Sequence, residues 1–256
     1  MPSVERVRRF LGRYLYTAPR VGFALTVGLV SRANRTLLWD LARRTGYLER
    51  APALPVVDAD TIVDVRIPVI LREVDAANGN VSLRELVFLA QLVKTRGPEH
   101  IFEIGTFDGR TTLALAANAP DDAVVRTLDL PPGTSTAMAI VASERVFVEK
   151  AGSGARVHST DMSHKVQQLY GDSATFDFSP YPSALVFVDG SHAYEYVLSD
   201  SRKALAMLSS GAGDIVWHDY TMWEGVTRAL DELQREDPRF AGLRHIAGTT
   251  LAVLTR

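Results

Sequence analysis

The spacing of apolar residues divides the chain into two regimes. From Val4 to about Tyr47 they recur with helical period, Val7, Phe10, Leu11, Tyr14 and Leu15 on one face and Leu37, Leu38 and Leu41 on another, which predicts a cap of two or three helices. Ala51-Pro52-Ala53-Leu54-Pro55 reads as linker, because proline fixes its own φ and pushes the residue before it out of the helical region. Ser82-Leu83-Arg84-Glu85 has the form of a capping box, and the helix it opens should stop at Gly97-Pro98.

After Pro98 apolar runs of strand length alternate with helical segments. The runs are His100–Ile104, Val124–Leu130, Ala155–Ser159, Ala184–Val188 and Asp214–Trp217. Between them lie helical stretches near Arg110–Asn118, Ser135–Val148, Lys165–Tyr170, Tyr194–Leu208 and Trp223–Arg235. This alternation predicts an α/β fold with a mostly parallel sheet covered on both faces. The last two runs, Leu243–Ala247 and Leu251–Thr255, are joined by only Gly248-Thr249-Thr250, too short for a parallel crossover, so the final strand should be antiparallel. The expected division is an N-terminal helical cap and linker over 1–75 and a catalytic domain over 76–256.

Composition narrows the chemistry. The 256 residues are 46% hydrophobic and 23% charged, which fits a soluble globular chain, and the absence of cysteine excludes disulfides, thiolate nucleophiles and sulfur-ligated metals. The net charge of −2 gives no nucleic-acid signature. It is unevenly spread: residues 1–50 hold ten Arg and three acids (+7), and the remainder holds 18 basic and 27 acidic residues (−9). The apolar stretch Val21–Val30 is well short of the ~20 residues a bilayer crossing needs, and arginines follow it where a signal peptide would have its cleavage site. The expectation is a cytoplasmic protein with no transmembrane segment, whose basic cap packs on the main domain, mediates a homodimer or touches an anionic membrane surface.

The first strand of the domain runs into Glu103-Ile104-Gly105-Thr106-Phe107-Asp108-Gly109-Arg110. A glycine turn here lets a ligand approach the backbone at the carboxyl edge of the sheet. The spacing is not the Gly-x-Gly-x-x-Gly of dinucleotide binders, which argues against a nicotinamide oxidoreductase, and Glu103 would repel phosphate but welcome an amine or sulfonium. Asp129 ends the second strand, 24 residues past Gly105, where a carboxylate can hold both hydroxyls of a ribose or serve as a turn acid. Asp161, after the expected third strand, is the candidate for an adenine amine or an N-cap, and Met162 for the ring face.

These features resemble the class I S-adenosylmethionine-dependent methyltransferases over about Glu99 to Arg256. The resemblance implies a Rossmann-like seven-stranded sheet and S-adenosylmethionine as cofactor, held by Glu103, Gly105, Gly109, Asp129, Asp161 and Met162. Downstream, strand four ends in Asp189-Gly190-Ser191-His192-Ala193-Tyr194 and strand five in His218-Asp219. Adjacent parallel strand ends lie about 5 Å apart, so Asp189, His218 and Asp219 converge, and two carboxylates with an imidazole suit Mg²⁺, or Mn²⁺. The arrangement is similar to that of metal-dependent O-methyltransferases acting on sugars. That resemblance implies Asp189, His218 and Asp219 as metal ligands, His218 standing where an acid or amide is usual, and His192 with Asp189 as catalytic residues, His192 being the general base. The implied acceptor is a sugar, glycoside or polysaccharide-precursor hydroxyl; catechol-like or other natural-product hydroxyls, or a non-catalytic cofactor-binding or membrane-associated module, are the rival readings. Trp217, Tyr220, Trp223 and Tyr194 crowd the same rim.

Overall fold

The computed structural model describes residues 4–24, 26–31, 34–35, 51–77, 79–141, 144–150, 152–158, 160–208 and 211–256. The chain divides into two compact units, Met1–Glu49 and Arg50–Arg256. The first contains helix α1 (Val4–Ala24) and a 3₁₀ turn at Val27–Val30. The apolar face expected at Leu37, Leu38 and Leu41 lies outside the described residues.

The second unit is built on an eight-stranded sheet: β1 (Val56–Val57), β2 (His100–Ile104), β3 (Val124–Asp129), β4 (Val166–Tyr170), β5 (Leu185–Val188), β6 (Asp214–Trp217), β7 (Arg244–Ile246) and β8 (Ala252–Thr255). Their order is β1-β7-β8-β6-β5-β2-β3-β4, parallel except where β8 runs antiparallel to β6 and β7. The domain helices are α2 (Leu83–Arg96), α3 (Arg110–Asn118), the one-turn helices α4 (Arg145–Val148) and α5 (Ala155–His158), α6 (Tyr194–Met207) and α7 (Glu224–Glu236).

Strand alternation sends successive side chains to opposite faces, and both faces are buried. Phe102, Ile104, Val186, Val188, Ile215 and Trp217 join one core beneath α6 and α7. Ile101, Val125, Leu185, Phe187 and Val216 join another beneath α2 and α3. This two-sided burial is why the strands read as unbroken apolar runs. At α2 both halves of the capping box form: Ser82 Oγ accepts the Glu85 N–H, and Glu85 Oε2 accepts the Ser82 N–H at 2.7 Å. Gly97 closes the helix at φ 59°.

Three expectations change. Of the run expected as a strand over Ala155–Ser159, Ala155–His158 forms helix α5, and the third strand of the parallel series is Val166–Tyr170, expected as a helix. As the sheet's edge strand, β4 is only partly buried and lacks an apolar run. The expected helix over Ser135–Val148 is helical only from Arg145 among the described residues. An eighth strand comes from the expected linker: Val56–Val57 pairs in parallel with β7, and the Leu54 N–H donates to Tyr220 Oη at 2.8 Å, so residues 51–57 are laid along the sheet. Arg110 secures the segment after it. Buried to 1% exposure, its guanidinium donates to the carbonyls of Glu73, Val74 and Val81.

Candidate active site

The carboxyl ends of β2, β3, β5 and β6 form one rim. Gly105 follows β2 at φ +100°, and a Cβ there would fall 2.0 Å from the Asp189 carbonyl oxygen, so only glycine lets the turn lie against the end of β5. Asp129 ties the end of β3 to that turn: its Oδ2 accepts the Phe107 N–H at 3.0 Å and pairs with Lys150 Nζ at 2.5 Å, and Oδ1 accepts the Leu130 N–H. The glycine turn and the β3 acid are therefore adjacent, as expected.

Glu103 differs from its expectation. It is fully buried below the turn, with Oε2 accepting the hydroxyls of Thr112 and Thr127 and Oε1 lacking a partner. Burial pushes its carboxyl up to about 8 against those hydrogen bonds, which favours the protonated form and weakens the charge argument that singled it out. Gly109, at φ +87°, is fixed by packing, since a Cβ would sit 2.9 Å from Gly154 and from Val157. Asp161 and Met162, expected to follow the third strand of the parallel series, precede it, since that strand is β4. Asp161 is exposed and pairs with Arg72 at 2.9 Å, and Met162 packs on the α2–α3 core, so neither joins the rim. The acid that does follow β4 is Asp172, which accepts the N–H groups of Ala137 and Ala174 and the Tyr196 hydroxyl.

The ends of β5 and β6 carry a compact ionisable cluster. Asp219 has φ 65°, left-handed backbone that Asp tolerates better than most residues and that turns the chain sharply out of β6. Its Oδ2 lies 2.7 Å from His192 Nε2 and 3.3 Å from His218 Nδ1. Asp189 Oδ1 is 3.0 Å from the same His218 Nδ1. One ligand atom from each of Asp189, His218 and Asp219 can be chosen so that all lie within 4.8 Å of one another. Val188, Val197, Trp217 and Val226 wall the floor, which lowers the local dielectric and strengthens every charge interaction above it.

Two buried acids that the sequence analysis had not assigned to the site complete it. Glu85, the capping-box carboxylate of α2, also accepts the Thr250 N–H and hydroxyl, and its Oε2 stands 3.5 Å from His218 Nε2. Glu144 accepts the His192 backbone N–H and the Ser191 hydroxyl. Its Oε1 comes 2.5 Å from His192 Nδ1, off the line of a hydrogen bond, so that contact is electrostatic. Trp223 stacks flat on the His192 ring, 4.3 Å between centroids and 9° from parallel. Of the four rim aromatics, Trp217 and Tyr220 are core, and Trp223 and Tyr194 are partly exposed.

Burial alone would lower the pKa of His192, but the hydrogen bond to Asp219 and the nearness of Glu144 outweigh it and raise it to about 9. With these acids charged, the ring holds its proton at neutral pH. His218 is likewise raised despite burial, by Asp219 and Asp189, and Asp219 is lowered despite burial by the two histidines.

Against known proteins, residues 102–220 match the model of a family described as a methyltransferase domain. That stretch, under half of the 256 residues, is similar to the family. It takes in the Gly105 turn, Asp129, Asp172, Asp189, His192 and the His218-Asp219 pair. No curated protein matches the chain. Among solved structures, the chain is similar to cofactor-bound Rv0187 from MTB, at 22% identity over 72% of this chain and 84% of that one, TM-score 0.49. It is similar also to the O-methyltransferase TomG of Streptomyces achromogenes, involved in tomaymycin synthesis and solved with SAM, at 19% identity over 77% and 88%, TM-score 0.49. A third is an O-methyltransferase from Bacillus cereus in complex with SAH, at 15% identity over 70% and 84%, TM-score 0.49.

Proposed function

We propose that this chain is an S-adenosylmethionine-dependent O-methyltransferase that moves a methyl group onto a hydroxyl of a sugar, glycoside or polysaccharide precursor, with a divalent metal and His192 as general base. One observation carries the reading: the acids and imidazoles ending β5 and β6 meet beside the Gly105 turn, against the Asp189 carbonyl. Methyl transfer from a sulfonium is an in-line displacement, so donor and acceptor subsites must adjoin, and holding both in line removes much of the entropic barrier.

Asp129, paired with Lys150, is the proposed ribose acceptor. The set Asp189, His218 and Asp219 fits a hard divalent cation, two carboxylates supplying oxygen and one imidazole leaving Mn²⁺ open beside Mg²⁺. Such an ion would polarise a hydroxyl oxygen and offset the carboxylate charge that holds the proton on His192. His192 is held by Trp223, Asp219 and Glu144, and as general base it would first release the proton those carboxylates favour and then take the one that the acceptor hydroxyl gives up. The partly exposed faces of Trp223 and Tyr194 support a sugar acceptor, whose apolar ring faces stack on flat aromatic walls.

The test is methyl transfer from S-adenosylmethionine to a panel of glycosides, catechols and other natural-product hydroxyls, followed by mass spectrometry in EDTA and after Mg²⁺ is restored. A methylated glycoside formed only with metal is the expected result. Full activity in metal-free buffer removes the ion from the mechanism, and methylation of catechols alone moves the acceptor to another class.

A further inference from the structure

The first unit carries a surface that methyl transfer does not use. At 100° per residue, positions 4, 7, 10, 11, 14, 15, 18 and 21 of α1, all Val, Phe, Leu, Tyr or Ala, fall within an arc of about 140°, and four of its five arginine positions, 6, 9, 13 and 20, fall within about 60° on the opposite side, with position 8 at the border of the apolar arc and positions 16 and 23 between it and the arginines. Among the described side chains between residues 14 and 30, six large apolar or aromatic ones are exposed: Tyr14, Leu15, Tyr16, Phe23, Val27 and Val30, with Leu15 70% and Val30 89% exposed. The described residues of the whole second unit expose only seven. An apolar surface this concentrated marks an interaction site.

Charge selects the occupant. Residues 1–50 carry ten Arg, no Lys and three acids, a net +7, so two copies meeting through this face would bring like charges together. A soluble polyanion would satisfy the arginines but gains nothing from the exposed Leu15, Phe23 and Val30. A lipid surface with anionic headgroups satisfies both, phosphates taking the guanidinium groups and the acyl boundary taking the apolar side chains. No described helix is long and apolar enough to cross a bilayer, so the contact would lie in the plane of the interface.

We infer that α1 and the Val27–Val30 turn dock this enzyme on the surface of anionic membranes. The inference does not depend on the acceptor or the metal proposed above.

The test uses the full chain, sedimented with vesicles of neutral phosphatidylcholine alone and with vesicles of which about a third is phosphatidylglycerol. Binding is expected to the anionic vesicles only, with release at high salt. Each arginine near the surface is worth on the order of 1 kcal/mol, so a chain carrying R6E, R9E, R13E and R20E should bind at least roughly 100-fold more weakly while keeping its affinity for S-adenosylmethionine. L15D with F23D, which leave the arginines intact, should weaken binding as well. The inference is overturned by absence of vesicle binding, equal binding to neutral vesicles, indifference to either set of substitutions, or retention on single-stranded DNA in place of vesicles. A stable dimer that the L15D and F23D changes dissociate would assign the face to a second copy instead.

Discussion

Glu85 Oε2 stands 3.5 Å from His218 Nε2, while the other ring nitrogen, Nδ1, faces Asp189 and Asp219. A carboxylate behind an imidazole fixes which nitrogen carries the proton and which offers its lone pair. Glu85→Gln should therefore weaken Mn²⁺ binding roughly 10- to 100-fold, measured by calorimetry or electron paramagnetic resonance, with S-adenosylmethionine affinity unchanged. An unchanged metal affinity would leave Glu85 as a helix cap alone.

Cofactor binding and turnover should separate along the rim. Asp129→Ala removes the acid that holds the Phe107 N–H and Lys150 and should weaken S-adenosylmethionine binding by roughly 10-fold or more in titration calorimetry. Asp189→Ala and Asp219→Ala should keep cofactor affinity within a few fold but lower kcat by roughly 100-fold or more. Reversed phenotypes would mean that the two subsites are exchanged.

His192→Gln should lower kcat by roughly 10²- to 10⁴-fold with little change in the KM for S-adenosylmethionine, the signature of a lost proton acceptor. Trp223→Leu, which removes the stacked ring but leaves the imidazole, should give a smaller loss. Steady-state kinetics on the first acceptor identified would check both.

Glu103 predicts a pH dependence of stability. Its carboxyl is raised from an ordinary value near 4.5 to about 8 in the folded chain, so between those limits the folded state keeps a proton that the unfolded chain has released. Stability should fall as pH climbs from about 4.5 towards 8, by an amount on the order of a few kcal/mol. Glu103→Gln keeps the side chain's shape and should flatten this component. Urea midpoints of both proteins at pH 5, 6.5 and 8 measure it, and equal slopes would show that Glu103 is ionised.

Much of this fold is written in local pattern. Helix α3 has the bounds read from its spacing, the capping box at Ser82 and Glu85 forms both of its hydrogen bonds, and β2, β5 and β6 coincide with apolar runs because both sheet faces are covered. Where one side of a strand meets solvent the pattern thins. Val166-Gln167-Gln168-Leu169-Tyr170 is partly exposed at the sheet edge, and the reading of Ala155–Ser159 as the third strand in its place put the adenine assignment at Asp161, ahead of the strand. Gly171-Asp172, a turn directly after that segment, was the available signal. The convergence of Asp189, His218 and Asp219 was legible because parallel neighbours end side by side, whereas His192 was singled out only by the resemblance. Glu85 and Glu144 were not, because they reach the site from 133 and 48 residues away in sequence, through tertiary packing alone.

The two-residue strand Val56–Val57 has a bearing on how this protein can be trimmed. It covers the outer flank of β7, whose peptide groups would otherwise be open to another chain. A shortened form beginning at residue 76 would expose that flank and invite intermolecular strand addition, whereas a cut near residue 50 removes the arginine-rich unit and leaves the seal intact.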